Sequence, residues 1–367
     1  MDPKISNISF EEDVYKFTLS DINVSLANAI RRTVLSDIPI NAIHTETYQD
    51  NQCTIHTNTS RLHNEILKHR LSSIPIHMTD LDILPDNYVL ELDVENNTDN
   101  MIIVTTEDFR IRNKNSDKYL TKDETRRIFP ANPKTNMFID FTRLRPSIGN
   151  SIPGEKIKLT AEFSVKKASE NSMFNVVSKI SYGNTIDLVK AKEIWDIQEK
   201  KMLSDGSSKT DIEFERKNYY LLDAQRQYKE NSFDFVIQTL GIYENKEIIK
   251  KASQILVQKF TNLINMIDSG LIPVKPSETT MDNCYDIILE NEDYTLGKVL
   301  EYILYEKEYV KDQQLTFCGF KKFHPHDEES TIRVAFNKPG DKDKVYKILR
   351  SSCVEAGNIF TTIFKMF

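Results

Sequence analysis

Glycine is scarce in this chain, 10 of 367 residues, where ordinary usage is about 7%. Loops that cradle phosphate depend on glycine, and neither GxGxxG nor GxxxxGK[ST] occurs, so nucleotide binding through a standard loop is not expected. Cysteine is thin as well: four, at 53, 284, 318 and 353, too scattered for a disulfide framework and with no CxxC pair. They read as buried or free thiols in a reducing compartment. A zinc ribbon or an iron–sulfur cluster needs clustered thiolates, and this spacing argues against both. No apolar run approaches the roughly 18 residues of a membrane span. The stretch Met1-Asp2-Pro3-Lys4-Ile5-Ser6 has no apolar signal core, so secretion is not expected. Nor is there a Lys/Arg-rich run: the net charge is −7, and a chain that binds nucleic acid normally carries a basic patch to neutralise phosphates. Taken whole, this one should repel nucleic acid.

What is present is ordinary in bulk, 39% apolar and 28% charged, with length for two or three domains. The informative feature is a short helical pattern that occurs twice. Ser25-Leu26-Ala27-Asn28-Ala29-Ile30-Arg31-Arg32-Thr33-Val34 follows a stretch with Asp21 and Asn23. Thr295-Leu296-Gly297-Lys298-Val299-Leu300-Glu301-Tyr302-Ile303-Leu304 follows Glu292-Asp293. Each has a cap, a hydroxyl residue, Leu, a small residue, and an apolar stripe at i, i+4 and i+8 (Leu26/Ile30/Val34 and Leu296/Leu300/Leu304) that must be buried. A small residue beside Leu lets another backbone approach closely. Two such helices imply a chain that carries both halves of a dimer.

Alternation predicts a strand over 5–19, strands within 40–57, 87–105, 137–142 and 156–165, and later strands at 233–240, 283–290, 315–320 and 330–336. Helices are expected at 24–36, 246–267, 294–307 and 341–365. Another is expected after Asn58-Thr59-Ser60, read as its cap, and closed by Pro75. The charged stretch 110–127 reads as a loop. Residues 183–232, rich in Lys, Asp, Glu, Ser and Gln, read as a surface excursion, partly helical and partly mobile. Residues 268–281, with Ser269-Gly270, Pro273 and Pro276, form the clearest linker.

Three stretches of the first part resemble the larger α-like subunit of cellular and viral RNA polymerases. Asn28-Ala29-Ile30-Arg31-Arg32-Thr33-Val34-Leu35-Ser36-Asp37-Ile38-Pro39 is similar to N-A-L-R-R-x-L-L-S-x-x-P. The run Asn58 to Ile76, with Leu62, Glu65, His69-Arg70-Leu71 and Ile74-Pro75, is similar to N-x-S-x-L-x-D-E-x-L-A-H-R-L-G-x-I-P. Gly154-Glu155-Lys156-Ile157-Lys158-Leu159 is similar to G-Q-x-I-x-L. Residues 282–367 resemble the small α-like subunit: Asn291-Glu292-Asp293-Tyr294-Thr295-Leu296-Gly297 matches N-E-D-H-T-L-G, and Phe317 to Pro325 matches F-A-G-Y-x-x-P-H-P. The matches leave out about 106–136 and 183–232. Ser72-Ser73 stand where the family has glycine, His63-Asn64-Glu65 departs from its acidic pair, and the cysteine cluster of the eukaryotic versions is missing after Leu81, so their zinc is not carried over.

The resemblance implies an α+β fold with two α-subunit-like dimerisation modules, sheet plus two helices each, paired within one chain. The larger module would comprise 1–40 and 150–267, a mostly β insertion domain 41–149, the linker 268–281, and the small module 282–367. The seam would be formed by Leu26, Ala27, Ile30, Leu256, Phe260, Leu296, Gly297, Leu300, Ile348 and Phe360. Linking the halves makes their pairing unimolecular, at an effective concentration of about millimolar or above. Arg31, Arg32, Asn58, Ser60, Arg70 and Pro75 would contact partners, Arg31-Arg32 facing the second-largest catalytic subunit with guanidinium forks suited to carboxylates and carbonyls. The expected partners are the largest and second-largest polymerase subunits and small zinc-binding subunits, with little or no direct nucleic-acid contact, no membrane and no homo-oligomer. No catalytic residue, metal or cofactor is expected. A fusion of this kind suggests a large DNA virus, working in host cytoplasm (a viral factory) or nucleus, or packaged in the virion.

Two readings of other classes stand beside it. His44, His56, His63, His69 and His77 lie close in sequence, and Asp80-Leu81-Asp82 follows. A metal- or carboxylate-dependent hydrolase would require His44, His69 and Asp82 to converge. Against it, no HExxH or HxH pair occurs there, and carboxylates such as Glu290 to Asp293 ahead of a helix serve to cap it. The third reading is a homodimeric interaction protein that uses the terminal helix, whose end (Ile359, Phe360, Ile363, Phe364, Phe367) is apolar most of the way round.

Overall fold

The computed structural model describes residues 1–149, 151–278 and 281–367. β1 (Lys4–Glu11) and β2 (Val14–Ser20) lead into α1 (Val24–Ser36). Next come β3 (Ile40–Ala42), β4 (Cys53–Asn58), α2 (Asn64–Ser72), β5 (Tyr88–Glu95), β6 (Ile102–Thr105), β7 (Arg110–Asn113) and α3 (Lys122–Ile128). β8 (Asp140–Leu144), β9 (Lys156–Glu162), β10 (Ser164–Lys166) and β11 (Val177–Ile186) precede the helical pair α4 (Leu188–Ser204) and α5 (Lys209–Leu221). β12 (Tyr228–Thr239), α6 (Asn245–Asp268), β13 (Val274–Pro276), β14 (Cys284–Glu290), α7 (Tyr294–Leu304), β15 (Leu315–Lys321), β16 (Glu329–Phe336) and α8 (Lys342–Met366) complete the α+β chain. It divides into two compact units, residues 1–33, 179–238 and 249–367, and residues 34–178 and 239–248.

The first unit holds two four-stranded sheets, ordered β1-β2-β12-β11 and β13-β14-β16-β15. The strand expected over 5–19 is a hairpin instead. Glu12, at φ 52°, reverses the chain between β1 and β2. Beyond that turn Tyr15, Phe17 and Leu19 alternate inward, and β2 pairs with β12 so that Phe17 faces Phe235, their rings stacked at 5.1 Å. The Phe367 ring meets Phe17 edge-on at 5.0 Å, so the apolar end of α8 is covered by the chain's own first sheet. The i, i+4 stripes of α1, α6, α7 and α8 are buried throughout.

Two expectations for this unit need correction. The excursion 183–232 is helical in part, as expected, but more regular than its polar composition suggests: β11 and β12 are its base, and α4 and α5 fold on a core of their own. There Trp195 packs on Tyr219 at 5.5 Å, and the Tyr219 hydroxyl donates to the Ala191 carbonyl at 2.9 Å. In the stretch read as a linker, residues 274–276 are β13, paired with β14 at Lys275↔Asp286; Thr279 and Thr280 lie outside the described residues.

The second unit has one four-stranded sheet, β4-β9-β5-β7, and the two-stranded pairs β10-β3 and β6-β8. Leu67 and Leu71 from α2 pack with Leu90, Leu159, Phe109, Phe129 and Phe141 in one core. The boundary expected at 149/150 falls elsewhere, and Asn150 itself lies outside the described residues. β9 sits between β4 and β5 and pairs with both, so residues 151–178 belong to this unit. The charged stretch 110–127 is not a loop. β7 pairs with β5 and buries Ile111, and α3 starts from a capping box in which Thr121 and Glu124 bond each other's amides. The strand over 156–165 breaks after Glu162 into β9 and β10.

Candidate functional site

The repeated helices begin alike. Asn23 accepts from the Ser25 amide at 2.9 Å ahead of α1, and Asp293 accepts from the Thr295 amide at 2.8 Å ahead of α7. Satisfying the free N–H groups this way fixes where each helix starts. It also settles the acidic cluster at 290–293, where Asp293 is the cap and Glu292 lies 3.8 Å from Lys259 of α6.

The two motifs meet through Arg32. Its Nε donates to Thr295 Oγ1 at 2.9 Å, and its Nη2 forms an ion pair with the Asp293 carboxylate. Burial pushes the Asp293 carboxyl up. The amide and hydroxyl bonds from Thr295 and the Arg32 guanidinium outweigh that and hold it below its ordinary value of 3.8. Among the described residues the converse contact is missing. Ser25, the counterpart of Thr295, has a buried hydroxyl with no hydrogen-bond partner among the described residues, and the residue at the counterpart of Arg32 is Tyr302. Among the described residues the polar pairing of the two motifs therefore runs from the first to the second.

Leu26, Ala27, Ile30, Leu256, Phe260, Leu296, Gly297, Leu300, Ile348 and Phe360 are all buried in the first unit. Phe260 of α6 and Phe360 of α8, both fully buried, stack at 5.9 Å. The same two helices are clasped at the edge. Arg350 donates to both Asp268 oxygens at 2.8 and 3.1 Å, and Lys250 lies 5.8 Å from the Phe364 ring. Gly297 has a different reason to be small from the one expected. A Cβ there would lie 2.0 Å from the ring of Phe320, so the space is taken by β15 of the same module and not by an approaching partner backbone.

The residues expected to face partners are scattered. Arg31 turns back along α1, donating from Nε and Nη2 to Asn28 Oδ1 at 3.1 and 2.9 Å. Arg32, with its bonds to Asp293 and Thr295, is engaged inside the chain. Asn58 caps no helix: α2 starts after His63, which makes no side-chain cap bond. Asn58 instead accepts from the Ser60 amide and hydroxyl at 3.0 and 2.7 Å and donates to the Leu62 carbonyl at 2.7 Å, so Asn58 and Ser60 build the turn before α2. Arg70 is exposed on α2 and donates to the Asp140 carbonyl at 2.5 Å, and half-buried Pro75 follows the helix.

His44, His69 and Asp82 do not form a ligand set. Among the described residues no three His, Cys, Asp or Glu side chains stand where they could hold a metal ion. His44 is buried beside Phe174, 6.1 Å between rings, and Asp80 accepts from the Asp82 amide at 3.0 Å in a turn. Among the described residues no helix is long and apolar enough to cross a membrane.

The motif reading missed one cluster in the second unit. Asn96, buried, donates to the carbonyls of Asn100 and Leu144, both at 2.8 Å, and a Cβ at Gly154 would lie 1.8 Å from the Asn96 carbonyl oxygen. The neighbouring Glu155 accepts from the Arg145 amide at 2.8 Å and Nε at 2.6 Å. Burial raises its carboxyl, but the bonds from Arg145 bring it below the usual range. Gly154-Glu155 was legible as a motif; its contact with Asn96, 58 positions earlier, has no local signal.

Two copies of one helical pairing element, both buried in one α+β unit, mark a protein built around dimerisation elements. Comparison with known families agrees. The RNA polymerase Rpb3/Rpb11 dimerisation domain matches residues 16–260, and a second domain of the same description matches residues 284–365. The chain belongs to this family of α-like RNA polymerase subunits. DNA-directed RNA polymerase subunit Rpo3 of Pyrococcus furiosus is 23% identical over 70% of this chain and 93% of its own length. A conjugation stage-specific protein of Tetrahymena thermophila is 24% identical over 70% of this chain and 92% of its own. Subunit 3 of Arabidopsis thaliana DNA-directed RNA polymerases II, IV and V is 38% identical over a shorter stretch, 20% of this chain and 21% of that one.

Proposed function

We propose that this chain is a non-catalytic assembly scaffold of a multisubunit DNA-directed RNA polymerase, an α-like heterodimer joined into one polypeptide. The observation that carries the reading is the one-way contact from Arg32 to Asp293 and Thr295, set in a single buried seam to which both modules contribute. Such a contact suits a pair of unlike halves, because a homodimer of the first module would set each Arg32 against Asn23 and Ser25, which offer no carboxylate. In this role the chain contributes a rigid platform on which the largest and second-largest subunits and small zinc-binding subunits assemble; Arg31, Asn58, Ser60, Arg70 and Pro75 belong to the docking surfaces. It carries out no phosphoryl transfer itself. A natural fusion of two subunits points to a large DNA virus as its source, with the enzyme working in host cytoplasm or nucleus or carried in the virion.

Affinity purification of the tagged chain from its native source, washed in high salt, tests this. Stoichiometric recovery of two very large subunits with small ones is expected. Recovery of the chain alone, or only with further copies of itself, overturns the reading.

A further inference from the structure

The second unit carries a feature that scaffold assembly in general does not require. A groove of about 620 Å3 opens between β8 and the segment that runs from Arg61 to Arg70 in the last turn of α2, and four arginines line it, Arg61, Arg70, Arg143 and Arg145. This is a concentrated positive patch on a chain of net charge −7. Two of the four are already answered. Arg145 is paired with Glu155, 2.5 Å from Nη2, and Arg143 lies 3.9 Å from the Asp140 carboxylate. The other two are not. Among the described residues Arg61 makes no hydrogen bond, although it lies in the field of Glu155, and Arg70 donates only to the neutral carbonyl of Asp140.

Between these cations the lining is apolar: Leu62, the fully buried Phe141, and Met101, which is 53% exposed. Thr142, beside Phe141, is 3% exposed, and its hydroxyl oxygen is closed off from the groove with no hydrogen-bond partner among the described residues.

We propose that this groove receives an acidic, apolar-anchored peptide segment of a partner polymerase subunit, with carboxylates on Arg61 and Arg70 and an apolar side chain on Met101 and Leu62. The proposal rests on the assembly reading above and names the chemistry of one docking site within it. Guanidinium forks bind carboxylates in a planar, two-bonded geometry, and a buried apolar anchor ringed by charge is the common anatomy of a tight contact. Nucleic acid fits less well. Two unmatched arginines in one concavity are far short of the roughly 6–10 phosphate contacts of a binding track, and the floor offers no aromatic face for a base to stack on in the open.

The test uses the full chain and fluorescence anisotropy. The probes are a short labelled peptide alternating Glu with Leu and Phe, the same peptide with Gln for Glu, and a single-stranded oligonucleotide. The acidic peptide is expected to bind at low salt and the Gln peptide not to. Arg61→Glu with Arg70→Glu should weaken binding by about tenfold or more at unchanged melting temperature, and Arg61→Lys with Arg70→Lys, which keeps charge without the fork, should fall between. The proposal is overturned if the wild-type chain ignores the acidic peptide, if the Gln peptide binds equally, or if the oligonucleotide outcompetes the peptide through the same arginines. Purifying the folded Glu variant from the native source separates the two readings. Loss of a partner subunit supports the groove. Full recovery of the polymerase removes the groove and leaves the scaffold standing. A wild-type chain that recovers no large subunit removes the scaffold, and with it the partner named for the groove.

Discussion

Arg32, in the ninth position of the first repeated helix, pairs with Asp293, the residue that caps the second. One side chain thus ties two distant stretches of sequence through a cap and a first-turn hydroxyl, with no reciprocal contact among the described residues.

Both side chains are about one-third exposed, so solvent screening keeps the pair modest. A double-mutant cycle with Arg32→Ala and Asp293→Asn should give a coupling of about 0.5–1 kcal/mol by denaturant unfolding, smaller in high salt. A coupling of zero at low salt would show the pair to be idle.

The same pair has a pH signature. Asp293 has its carboxyl lowered in the fold, so its contribution is complete above the ordinary carboxylate range and is lost as pH falls through the depressed folded value. Melting curves of wild type and Asp293→Asn should therefore differ at pH 7 and converge in acid, below about pH 4. A gap that widens toward acid would mean the sign is wrong.

Gly297 is held small by an aromatic ring. Gly297→Ala should destabilise the protein by about 1–3 kcal/mol, even though alanine is the better helix former. Phe320→Leu in the same chain should recover part of the loss. If Gly297→Ala is neutral or stabilising, the ring has room that the geometry denies it.

How much of this was legible in the sequence follows from period. α1, α6, α7 and α8 each keep an apolar stripe at helical spacing, and their expected bounds fall within a few residues of those observed. β7 hides because only Ile111 of its four residues is buried, and in α3 charge masked a capping box that was there to be read. The α4–α5 hairpin was underestimated because its core needs few residues, chiefly Ala191, Trp195, Ile212, Tyr219 and Ala224, spread through polar sequence. At the seam, the motifs marked which helices matter. The direction of Arg32 and the ring over Gly297 depend on what folding brings near, which no local pattern carries.

Phe260 and Phe360 are each fully buried and stacked on one another. Truncating either to Ala should cost about 3–5 kcal/mol, and truncating both should cost less than the sum, because the second change removes contacts the first has already lost. Strict additivity in urea unfolding would contradict the stacking.

The helical hairpin should be dispensable for folding. The Asp187 amide bonds the Gln227 carbonyl at 2.8 Å, so the ends of the excursion already meet. Replacing residues 188–226 with a two-residue turn should leave a cooperative unfolding transition, with the melting temperature moved by no more than about 4 °C. Loss of cooperativity would show that Trp195 and Tyr219 support more than each other.

The stretch first read as a tether is partly a strand, β13, stitched into the sheet of the small module. Its consequence is a matter of supply. Two separate halves must be made in equal amounts and must find each other, and dilution pulls them apart. On the proposed scaffold reading a single chain supplies both in a fixed ratio of one to one, and an internally paired chain unfolds with a midpoint that does not move with protein concentration. On that same reading no orphaned half is left over to aggregate or to be cleared.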